Sequence, residues 1–126
     1  MGERKYRVLL VDDEPSIIKT VSKRLEVAGF EVSVAMTGKE AVAKAQAEHP
    51  DVIVLDLMLP EMSGFDVCGT LKKDQQCSEI PVVVMFSGKG SEEDAERCRE
   101  LGAAAYVTKT DGSQALIAQI NALIGA

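Results

Sequence analysis

No apolar stretch in this chain approaches the roughly 20 residues that a membrane-spanning helix needs. The opening residues, Met1 to Arg7, are too polar for a secretory signal peptide, so a cytoplasmic protein is expected. No Lys/Arg block appears, and the formal net charge is −6. That balance speaks against direct nucleic-acid binding, which relies on clustered positive charge. Cysteine is scarce: Cys68, Cys77 and Cys98 make an odd count without metal-ligand spacing, which fits reduced thiols better than a disulfide. The only histidine, His49, stands beside Pro50 ahead of an apolar run. With no Ser or Cys nucleophile motif to serve, it reads as a helix-end or loop residue. No linker or low-complexity tract divides the 126 residues, a length suited to one core.

Four short apolar runs are present, and each ends on a residue suited to phosphate chemistry. Val8 to Val11 leads into Asp12 and Asp13, and Val52 to Leu55 leads into Asp56. Val82 to Phe86 leads into Ser87, and Tyr106 to Thr108 leads into Lys109. Runs of this length read as strands buried on both faces of a parallel sheet. In open α/β sheets, working groups gather at the carboxyl ends of such strands. Three carboxylates, a hydroxyl and an ammonium are therefore expected along one edge.

Helical patterns fill the intervals. Asp13-Glu14-Pro15 starts a helix whose Ile17, Ile18, Val21, Leu25 and Ala28 keep a 3.6-residue period until Gly29 stops it. Phe30 to Ala35 alternates as a half-exposed strand does, and Thr37 with Glu40 forms a capping box for a helix to about Glu48. Another helix begins near Ser63. Ser91 with Asp94 opens the next, which ends at Gly102. Ala104 to Lys109 is read as the fifth strand, and Asp111 as the cap of a last helix. Five βα units predict a flavodoxin-like, doubly wound parallel sheet of order 2-1-3-4-5 with helices on both faces.

Like charges about 4 Å apart repel by roughly 4 kcal/mol at an effective dielectric near 20. A crowded acidic edge must therefore protonate, bind a cation or draw on an ammonium such as Lys109. Hard oxygen ligands with an open face suit Mg²⁺, which keeps several waters and completes its shell with phosphate. Carboxylates, Mg²⁺ and a lysine together describe phosphoryl transfer to an aspartate.

These residues, with Asp56-Leu57-Met58-Leu59-Pro60 and the following Gly64, make the chain similar to receiver domains of the two-component response-regulator family. The resemblance covers residues 7–124 and implies one receiver domain across residues 1–126. It implies that Asp56 accepts a phosphoryl group from a phosphohistidine on a sensor histidine kinase or phosphotransfer protein. Asp13, Asp56 and the Met58 backbone carbonyl would hold Mg²⁺, with Asp12 acting through a water. Ser87 and Lys109 would contact the phosphoryl group, and Tyr106 would turn inward as Ser87 moves. Met58 and Lys89 would flank the hydrolytic water and tune dephosphorylation. Such a protein assists its own phosphorylation without being a conventional enzyme. It engages a downstream effector protein or domain as a monomer or a weak phosphorylation-dependent dimer.

Four features depart from the family pattern. Gly88 replaces the usual alanine, the interval from Pro81 to Ser87 is one residue longer, and Thr110 stands where proline is common. The segment from Gly102 to Tyr106 also lacks an acidic pair used by one dimerising subfamily. Among alternatives, a flavin protein of this architecture would place phosphate where Asp12, Asp13 and Glu14 repel it. An Mg²⁺-dependent aspartyl phosphatase would carry an Asp-x-Asp pattern after one strand, which is missing at Asp56. A non-phosphorylated interaction module would have no use for the full set of acidic and switch residues.

Overall fold

Each apolar run has two faces to bury, and the sheet gives it helices on both. The computed structural model describes residues 5–86, 92–108 and 112–125. Strands β1 (Arg7–Val11), β2 (Glu31–Ala35), β3 (Val52–Asp56), β4 (Val82–Phe86) and β5 (Ala105–Thr108) form one sheet in the order β2-β1-β3-β4-β5. Every neighbouring pair is parallel. Helices α1 (Pro15–Val27), α2 (Gly38–Glu48), α3 (Gly64–Lys73), α4 (Glu92–Glu100) and α5 (Gly112–Ile124) alternate with the strands.

Side-chain alternation splits the core into two layers. Leu9, Val11, Ile53, Leu55, Val82 and Val84 pack with Ala41, Val67, Leu71 and Cys98 from α2, α3 and α4. Val8, Leu10, Val52, Val54, Val83 and Met85 pack with Leu25, Leu116 and Ile120 from α1 and α5. β3 is buried along its whole length, whereas the edge strand β2 is half-exposed, as its alternation predicts.

The helix signals work locally as read. Thr37 accepts the Glu40 N–H at 3.1 Å, and Glu40 Oε1 accepts the Met36 N–H at 2.7 Å. Ser63 caps α3 by accepting the Asp66 N–H at 3.2 Å. His49 terminates α2 in the left-handed region with φ 50, a structural role consistent with its position. Gly29 and Gly102, at φ 103 and 101, end the turns after α1 and α4.

Two strand boundaries differ from the sequence reading. β2 starts at Glu31 because the Phe30 N–H is committed to the Leu25 carbonyl in the helix-terminating turn. β5 is assigned from Ala105, although Ala104 N–H already donates to Val82 O at 2.9 Å. Ser91 and Asp111, expected as helix caps, lie outside the described residues.

All three cysteines are free and buried, in agreement with the reduced-thiol expectation. Burial raises the thiol pKa of Cys68 and Cys77 and pushes that of Cys98 up to about 11. Beside them Lys72 donates to Ser78 O at 3.1 Å and Ile80 O at 2.6 Å. Its partial burial lowers its pKa, because desolvation disfavours the ammonium.

Candidate functional site

Register brings the acidic residues together. Val11 on β1 pairs with Leu55 on β3, so the next residues, Asp12 and Asp56, emerge side by side. Asp12 is fully buried and Asp56 is 1% exposed, while Asp13 is half-buried. Carboxylate oxygens of Asp12, Asp13 and Asp56 all lie within 4.8 Å of one another. Among the described residues this is the only group of three or more His, Cys, Asp or Glu side chains close enough to hold a metal.

Backbone contacts hold the cluster in place. Asp12 N–H donates to Ala35 O at 3.1 Å, and Asp12 Oδ1 accepts the Glu14 N–H at 3.0 Å. The latter bond helps cap α1, whose N-cap residue Glu14 makes no side-chain capping bond of its own. Asp12 therefore fulfils the cap role and belongs to the acidic cluster as well. Asp56 Oδ1 is 3.3 Å from the Met58 nitrogen, and Leu57 N–H donates to Met85 O at 3.0 Å. The Met58 side chain is 69% exposed beside this edge.

The loop after Asp56 closes tightly on itself. Gly64 N–H donates to Leu57 O at 2.8 Å, and a Cβ at Gly64 would stand 2.6 Å from Leu57 Cα. Only glycine lets the start of α3 come this close to the backbone that carries Asp56. A second close approach occurs at Gly38, where a Cβ would stand 2.8 Å from Val67 Cγ2. The motif reading singled out Gly64 but not Gly38, whose neighbours Val67 and Met62 are remote in sequence.

Tyr106 lies on β5 opposite Val84 of β4, with 38% of its surface exposed. β4 ends one residue before Ser87, and β5 ends one residue before Lys109. Ser87, Lys89 and Lys109 themselves lie outside the described residues, as do Gly88 and Thr110.

This edge, on this sheet, defines a class. The sequence pattern of the response regulator receiver domain matches residues 8–121, and the chain belongs to that family. It is 39% identical over 118 residues to the DNA-binding dual master transcriptional regulator RpaA of Synechocystis, covering 94% of this chain and 48% of that protein. It is 40% identical, with the same coverage, to the alkaline phosphatase synthesis transcriptional regulatory protein PhoP of Bacillus subtilis. The chain thus spans about half the length of these relatives. Among solved structures, Vibrio cholerae chemotaxis protein CheY4 superposes with a TM-score of 0.89 at 32% identity, covering 95% of this chain and 99% of that one. A response regulator structure from Chloroflexus aurantiacus reaches 0.91 at 24% identity, covering 98% and 100%, and supports the fold. The chain is thus a receiver domain of the kind found in two-component response regulators. Among the described residues no helix is long and apolar enough to cross a membrane.

Proposed function

We propose that Asp56 is the phosphoacceptor of a phosphorelay. A carboxylate oxygen of Asp56 attacks the phosphorus of a phosphohistidine on a sensor kinase or phosphotransfer protein. A P–O bond forms, the P–N bond breaks, and the imidazole nitrogen leaves with the electron pair to be reprotonated. The observation that carries this reading is the crowding of Asp12, Asp13 and Asp56 around a buried strand end. A dianionic phosphoryl group cannot approach three carboxylates unless their charge is offset.

The donor set fits Mg²⁺: hard oxygens only, on three residues, with Asp13 half-buried and accessible to water. Asp13, Asp56 and the Met58 carbonyl are the proposed direct ligands, with Asp12 linked through a water. The ion supplies charge neutralisation for the incoming phosphoryl oxygens. Asp12 also anchors the first turn of α1, keeping the acidic loop fixed against β2.

Ser87 and Lys109 are assigned to the phosphoryl oxygens, and Tyr106 to the switch that follows. The exposed position of the Tyr106 ring on β5 supports a starting state from which it can turn inward. The rearranged surface is then read by an effector protein or domain, in the cytoplasm, by a monomer or a weak phosphorylation-dependent dimer. Exposed Met58, a poor hydrogen-bond partner for water, and Lys89 are the residues proposed to slow hydrolysis.

Intact-mass measurement after treatment with acetyl phosphate and Mg²⁺ tests the proposal. One added phosphoryl group is expected, absent from Asp56→Asn and from wild type in excess chelator. Equal labelling in either control would overturn it, and continuous turnover of a phosphate ester would indicate a phosphatase instead.

A further inference from the structure

Sulfur is distributed unevenly over this fold. Cys68, Cys77 and Cys98 are buried in one core layer, and burial raises each thiol pKa. A thiol attacks a peroxide as its thiolate, so these three are both protonated and shielded at neutral pH. The thioethers differ among themselves. Met85 is 3% exposed and Met62 is half-buried, whereas Met36 is 43% and Met58 69% exposed. Met58 therefore presents the most open sulfur among the described residues.

Its position gives that openness a consequence. The Met58 N–H donates to Asp56 Oδ1 at 3.3 Å, which fixes the exposed thioether beside a carboxylate that is 1% exposed. Hydrolysis of an acyl phosphate on Asp56 needs a water held in line with the phosphorus. A thioether is a weak acceptor for such a water, while a sulfoxide offers a strongly polar S=O oxygen at the same place. We infer that Met58 is a site of methionine sulfoxide formation by hydroperoxide oxidants, and that its oxidation shortens the lifetime of phosphorylated Asp56.

The reaction needs no help from the protein beyond exposure. A sulfur lone pair attacks one peroxide oxygen, the S–O bond forms and the O–O bond breaks. The departing hydroxide gains a proton and leaves as water, so sulfur is oxidised by two electrons and the peroxide is reduced. The effect on lifetime rests on Asp56 being the phosphoacceptor; the site of oxidation does not.

The intact chain is treated with hydrogen peroxide, and fragment-ion peptide mapping follows Met36, Met58, Met62 and Met85. Met58 is expected to oxidise first, Met36 next, and Met62 and Met85 last. The treated protein is then phosphorylated with acetyl phosphate at saturating Mg²⁺, the donor is removed, and loss of the phosphoryl group is followed by intact mass. Loss should be about fivefold faster than in untreated protein. Methionine sulfoxide reductases A and B, with a dithiol, should restore the original rate by reducing both epimers. Met58→Leu, which has no sulfur, should show no change of rate on peroxide treatment, and Met36→Leu should keep the response. Oxidation of Met36 or Met62 ahead of Met58, unchanged or slower loss after oxidation, or an acceleration that persists in Met58→Leu overturns the inference. An untreated protein that takes up no phosphoryl group overturns the phosphoacceptor reading and the lifetime effect together, while the order of oxidation still decides the sulfoxide site.

Discussion

At the amino-terminal edge of the sheet, Asp51 Oδ2 accepts the Arg7 N–H at 2.8 Å while Asp51 N–H donates to Arg7 O at 2.9 Å. Lys5, Arg7, Glu31, Glu48, His49 and Asp51 line one polar depression there, with cations and anions intermixed. At the carboxyl edge, Asp12, Asp13 and Asp56 crowd within 4.8 Å, and two of the three are buried. The same side-chain chemistry thus stabilises one edge and strains the other. Each carboxylate pair at that spacing repels by roughly 3 kcal/mol at an effective dielectric near 20. Geometry alone does not distinguish the edges; charge arrangement does, and the strained edge is the one to which the phosphoacceptor role is proposed.

The comparison breaks most visibly where the strained edge is held in place. Gly64→Ala puts a Cβ 2.6 Å from Leu57 Cα and 2.7 Å from Asp56 O, both backbone atoms that yield only by moving the loop. A loss of about 2–3 kcal/mol in urea unfolding is expected. A loss near zero would mean that the loop beside Asp56 adapts freely.

Next in size, Asp13→Asn should raise the stability of the metal-free protein by roughly 1–2 kcal/mol, because it removes one repelling charge. Thermal melts in chelator check this, and a less stable variant contradicts the account of strain. The matching change at the opposite edge should have the opposite sign. Asp51→Asn weakens a charge-assisted bond to the Arg7 N–H and is expected to cost about 1 kcal/mol.

The smallest effect calibrates both edges against the interior. Burial pushes the folded Cys98 thiol up to about 11, from an ordinary value near 9.0. Between those values the unfolded chain loses this proton first, so stability is intact below about pH 9 and declines as pH rises through the folded pKa. A decline of roughly 0.5–1 kcal/mol by pH 10 is attributable to this group, allowing for partial screening. Cys98→Ala should flatten the alkaline slope of chemical unfolding; an unchanged slope would assign it to other groups.

Legibility from sequence followed the range of the interactions involved. Strands buried on both faces announced themselves as continuous apolar runs, and Thr37, Glu40 and Ser63 act within one turn of their partners. The gathering of Asp12, Asp13 and Asp56 followed from strand ends alone. Phe30 was harder, since an apolar residue beside a strand can equally close the preceding helix. The inward course of Lys72 was not readable, because its acceptors are carbonyls in an irregular loop. The demand for glycine at position 38 was hidden as well, because it depends on packing against Val67 of another helix.

The chain has no tryptophan and two tyrosines, and that scarcity gives the exposed ring on β5 an optical consequence. Tyr6 adjoins β1 at the opposite end of the sheet, where its carbonyl accepts the Glu31 N–H. Tyrosine emission is therefore free of indole overlap and comes from two rings at opposite edges. Collisional quenching by acrylamide can then separate Tyr106 from the half-buried Tyr6, giving a label-free view of β5.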